Sequence, residues 1–158
     1  MTFATASSAR LQLINLKNLI MNKPILTLDD AKRIARAAER EAVRNDWLVT
    51  IAVVDDGGHL LYLQRSHDTQ FGSIEVAVQK AHAAVAFQRS TKVSEDAVLS
   101  GRLIHLALPG VLPAEGGLPL MRESQVIGAI GVSGVRTFQD GQIAQAGVDA
   151  LLQDQSEP

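Results

Sequence analysis

The residues of this chain that could do chemistry are four histidines, a lysine set among small apolar residues, and a short run of glycines. His59, His67, His82 and His105 form no H-x-x-x-H or H-E-x-x-H pair, so no helix carries a two-histidine metal motif. His59 follows a turn and reads as a solvated strand residue, and His67 precedes Asp68 in a loop. His105 lies in LIHLAL near a helix end, where capping or half-burial is expected. His82 differs, because steps of four and three align it with Glu75 and Gln79 on one helix face. That polar stripe is either the wet face of the helix or an imidazole offered to a metal or haem iron beside an apolar cleft. Lys80 lies off the stripe, among Ser73, Val76, Ala77, Ala84 and Phe87, so its ammonium either snorkels to water or meets an anion.

The segment Gly128–Gly134 reads GAIGVSG. Its G-x-x-G-x-x-G spacing matches neither the dinucleotide fingerprint nor the phosphate loop, and no helix opens at its last glycine. It is a central strand ending in a glycine turn, or a wall of a ligand pocket at Gly131 and Gly134. No Ser-His-Asp set and no carboxylate pair stands out for catalysis. The chain has no cysteine, which removes disulfides, thiolate metal sites and cysteine nucleophiles.

These residues sit on a chain of 158 residues, the size of one domain, with 46% hydrophobic and only 4% aromatic residues. The core must therefore be built from Ala, Val, Ile and Leu. A formal net charge of -2 without basic clusters argues against a nucleic-acid partner. No apolar run has the length of a membrane-spanning helix, so no membrane partner is expected and a cytoplasmic location is, with export left open. Residues 1–20 contain no acid and read as an extension upstream of a domain covering 21–152, with a polar tail at 153–158.

The positioning elements follow in order. Thr27 and Asp30 make a capping-box start for an amphipathic helix from about 28 to 45. Leu48–Val54 is an apolar, β-branched strand, turned by Asp55-Asp56-Gly57-Gly58 into a returning strand over His59–Gln64. Ser73 is expected to cap a thin, alanine-rich helix to about Gln88, and Ser94 a shorter one to about Leu103. A long loop carries Pro109-Gly110, Pro113 and Gly116-Gly117. Leu118–Arg122 and Gln125–Val132 are strands joined by the Arg122–Gln125 turn, and Gln139–Leu152 is the last helix. Hairpin-linked strands with helices before and after make an α+β three-layer domain, with the two doubly apolar strands in the centre.

Five stretches in order, VVDDGGHLL, GSIEVAVQKAHAA, EGGLPL, GAIGVSG and QDGQIAQAG, resemble the haem-binding/haem-degrading domain family. This GlcG/HbpS-like family also takes in the C-terminal domain of PduO-type corrinoid adenosyltransferases. The resemblance covers about residues 25–152. It implies a profilin-like α/β/α domain with a central antiparallel sheet of about five strands, assembled as a homo-oligomer, dimer or higher. It also implies tetrapyrrole binding, with the helix of Lys80 and the segment Gly116-Gly117-Leu118-Pro119 around the ligand cleft. The chain departs from the family pattern at Ser66-His67-Asp68, at His82-Ala83 and at Gly141.

The expected function is small-molecule binding, with haem or a related tetrapyrrole as ligand. His82 is then the candidate donor to iron, His67 the reserve, and Lys80 or Arg89 the cation for a propionate. Gly116, Gly117, Pro119, Gly131 and Gly134 complete the expected lining. The alternatives are an isomerase, lyase or hydrolase acting on an organic acid through Lys80 and His82, or an oligomeric accessory protein without a ligand.

Overall fold

The computed structural model describes residues 23–154. The expected extension over 1–20, with Met21, lies outside the described residues, as does the end of the polar tail. Helix α1, Leu28–Arg44, starts at Thr27 in a full capping box. The Thr27 hydroxyl oxygen accepts from the Asp30 N–H at 3.1 Å, and an Asp30 carboxylate oxygen accepts from the Thr27 N–H at 3.1 Å. Strands β1 (Thr50–Asp55) and β2 (Leu60–Arg65) form the first hairpin. Helix α2 spans Ser73–Phe87, and α3, Lys92–Leu99, runs on into a short 3-10 turn over Leu103–Ala107. Strands β3 (Gly117–Arg122) and β4 (Gln125–Ser133) form the second hairpin, and α4 covers Thr137–Asp154.

The sheet has four strands where about five were expected, in the order β2-β1-β4-β3, each pair antiparallel. The two strands that are apolar on both faces, β1 and β4, take the centre, paired from Thr50 with Ser133 to Asp55 with Gly128. The second hairpin turns on Glu123 and Ser124, both at positive φ (52° and 62°), the twist a two-residue hairpin favours. Helices α1 and α4 cover one face, where Ile34, Ile51, Val53, Ile130, Val132, Ile143 and Leu151 make the main core. Helix α2 covers the other, over Val54 and Ala129.

That second face explains the thinness of α2. A Cβ on Gly131 would lie 2.0 Å from the Ala77 carbonyl oxygen and 2.5 Å from the Ala81 nitrogen. The helix backbone thus rests directly on the strand, and Gly131 is filled by α2 rather than left as a pocket wall. Gly134, the other expected wall, is closed by Leu48 and Val49, with a Cβ 2.4 Å from the Leu48 carbonyl oxygen. Two caps also differ from the sequence reading. Ser73 is the first helical residue rather than the cap, and its hydroxyl donates to the Gln70 carbonyl at 2.7 Å while lying 2.6 Å from the Thr50 hydroxyl. Ser94 is buried inside α3, with Thr91 at the cap position. The last helix continues to Asp154, so residues 153 and 154 belong to it. Among the described residues, no helix is long and apolar enough to cross a membrane.

Candidate functional site

Helix α2 has two faces with different fates. Residues two apart on a helix point about 200° apart, so Lys80 and His82 cannot share a side. Lys80 faces the sheet and is 1% exposed, whereas His82 is exposed on the outer face.

The inner face is closed. The Lys80 ammonium donates to an Asp140 carboxylate oxygen at 2.8 Å and to the Val132 carbonyl at 3.0 Å. Asp140 stands in the first turn of α4, and its other oxygen accepts from the Val135 N–H at 3.3 Å. Burial pushes the Asp140 carboxyl up to about 6, against the opposing pull of the Lys80 charge and hydrogen bond. Gly116, at φ 126°, lies over the pair, where a Cβ would be 2.9 Å from the ammonium nitrogen. Gly117 is locked to α3, its N–H donating to the Thr91 hydroxyl at 2.9 Å and its carbonyl accepting from the Thr91 N–H at 3.0 Å. Pro119 pairs with Ala129 inside the sheet. Glu115 fills the space above Gly141, and burial raises its carboxyl. The expectation that Lys80 meets a ligand carboxylate is therefore corrected: its anion is Asp140, and the glycines around it pack the chain on itself.

The outer face is open. Val78, Gln79 and His82 of α2 and Gly110, Val111 and Leu112 of the following loop line a cleft of about 470 Å³. That is within the range of small-molecule sites. The Gln79 side chain donates to Glu75 at 3.0 Å, as their spacing suggests, while His82 makes no hydrogen bond or ion pair among the described residues. One edge of its ring lies against the β1–β2 turn. A Cβ on Gly58, at φ 82°, would lie 2.8 Å from Cδ2 and 3.1 Å from Nε2 of His82. The Asp55 carboxylate holds that turn, accepting from the N–H of Gly57 at 2.9 Å and of His59 at 2.8 Å.

A smaller depression continues along α2 past His82. It is lined by Ala83, Phe87, Arg89, Ser90, Thr91 and Ser94, and it shares Val111 and Leu112 with the cleft. The structure thus brings His82 together with an apolar loop wall that sequence reasoning missed. Val111 and Leu112 carry no periodic pattern, so nothing in the chain marks them as lining. His67 is exposed, pairs with Asp68 at 2.8 Å, and lines neither depression. His59 is likewise exposed, and His105 is buried in the 3-10 turn with its Nδ1 unpaired. Among the described residues no group of three or more His, Asp or Glu side chains is placed to hold a metal ion. A lone imidazole suits only an ion that arrives with most of its coordination already filled.

Comparison with known proteins agrees with the architecture. The family model described as haem degrading protein HbpS-like matches residues 26–149. Protein GlcG of Escherichia coli strain K12 is 41% identical over 111 residues, 70% of this chain and 83% of GlcG. The solved structure of a PduOC:haem complex superposes with a TM-score of 0.72 at 32% identity, over 80% of this chain and 95% of that one. A double mutant of Streptomyces reticuli HbpS superposes with a TM-score of 0.75 at 30% identity, over 84% of this chain and 90% of that one.

Proposed function

This chain belongs to the HbpS-like family, and from that premise we propose that it binds a small molecule, haem or a related tetrapyrrole, in the cleft beside His82. The observation that carries the reading is an unpaired imidazole at the edge of a cleft of about 470 Å³ walled by Val78, Val111 and Leu112. A flat apolar ligand needs an apolar wall and one donor: Val78 of α2 with Val111 and Leu112 of the loop make the wall, and His82 is the donor. Haem brings ring nitrogen ligands of its own, so a single protein imidazole would be enough to hold its iron. The role of His82 is to offer a ring nitrogen to the ligand, one edge of its ring lying beside Gly58. The likeness to a structure solved as a haem complex supports the choice of ligand. The enzyme alternative loses its main support, because Lys80 is engaged with Asp140 on the face away from His82.

Titration of the purified protein with haem, followed at the Soret band, tests the proposal. Saturable binding at one site per chain is expected, and a spectrum unchanged from free haem contradicts it. A homo-oligomer is proposed on the family ground, and light scattering that finds a monomer at micromolar concentration would contradict it.

A further inference from the structure

Lys80 is unavailable to a ligand, so an acidic ligand in the cleft needs another cation, and the residues lining the two depressions include one besides His82: Arg89. The outer face of α2 passes from His82 through the exposed Ala86 to Arg89, seven residues on and just beyond the helix end. At 1.5 Å per residue the helix rises roughly 7.5 Å from His82 to its end at Phe87. The base of the Arg89 side chain is set by the helix cap. Gln88 turns left-handed at φ 50°, and the Arg89 N–H then donates to the Ala84 carbonyl at 3.2 Å. The guanidinium lies over the Phe87 ring, 5.6 Å from its centre. This cation–π contact uses none of its N–H groups, which stay available to fork a carboxylate. Arg89 has no ion-pair partner among the described residues. The hydroxyl-bearing residues Ser90, Thr91 and Ser94 line the same depression, and Val111 and Leu112 run along both.

We propose that Arg89 determines specificity in this track: it takes the carboxylate of an amphiphilic acid whose apolar body lies on Val111 and Leu112 and whose other end meets His82. The proposal rests on the reading of the His82 cleft as the ligand site and narrows its ligands to planar acids over neutral tetrapyrroles.

The test compares haem with its dimethyl ester, which has no free carboxylate, in the same mixed aqueous buffer. The wild type is expected to prefer the free acid by roughly tenfold, the worth of one charge-assisted hydrogen-bonded contact. Arg89→Ala should weaken the free acid by about that factor and leave the ester unchanged. Arg89→Lys should retain part of the preference, because it keeps the charge and loses the fork. Arg89 is exposed, so unchanged thermal unfolding of the variants checks that the fold is intact. If the wild type binds haem through His82 but Arg89→Ala weakens acid and ester equally, or neither, the Arg89 subsite is overturned and the cleft reading stands. If the wild type binds neither compound, both fall together.

Discussion

A lysine on the inner face of an alanine helix persists only with a partner, and the partner of Lys80 stands 60 residues further along the chain. Nothing near Lys80 in sequence identifies Asp140, which is why residue types and helical spacing could offer the ammonium to an unspecified anion and go no further. The contact predicts a strong stability effect. Asp140→Asn leaves a buried ammonium without its counter-charge and should destabilise the fold by about 3–5 kcal/mol, measured by denaturant unfolding. The joint replacement Lys80→Met with Asp140→Leu should lose much less, because no charge is stranded.

At the scale of elements, local signals carried furthest where they were self-contained. The capping box at Thr27, the doubly apolar β1 and β4, and the turn at Glu123-Ser124 are each set by neighbours in sequence, and each appears as read. The caps at Ser73 and Ser94 differ because tertiary packing claims both serines: one is bonded to Thr50 of the sheet, the other is a buried residue of α3 itself. The glycine run was legible as a close approach, but not what approaches; the answer is the backbone of α2. Two substitutions separate close packing from mere glycine content. Gly131→Ala would place a methyl 2.0 Å from the Ala77 carbonyl oxygen, so α2 must lift from the sheet, and a loss of about 3 kcal/mol or more is expected. Gly72→Ala meets nothing within 4 Å and sits at φ -60°, so it should be neutral or stabilise by up to about 1 kcal/mol. Equal effects from the two would contradict the account of the α2–sheet contact.

At the scale of the whole molecule, one sheet divides the domain into a side that holds the main core and a side that carries the His82 cleft. Helices α1 and α4 build the main core on one face, and α2 presents its outer surface to the cleft on the other. The described core begins at Leu26, and Lys23 before it pairs with Asp56 in the β1–β2 turn. A chain starting at Met21 is accordingly expected to unfold cooperatively with an unchanged melting temperature, and a broadened or lowered transition would show that residues 1–20 contribute to the fold. The three-layer plan and its central strands were readable from pattern; the loop that faces α2 was not, since Gly110–Leu112 gain their meaning only by lying across from His82.

The central claim is that the His82 imidazole is the donor in the ligand cleft. The most direct measurement is the absorption and electron paramagnetic resonance spectrum of ferric haem added to the wild type and to His82→Ala. The account predicts an imidazole-ligated spectrum in the wild type that is lost in the variant. Thermal stability should change little, because an exposed, unpaired helical residue contributes little to folding and Ala is the better helix former. The same ligated spectrum in both proteins would contradict it.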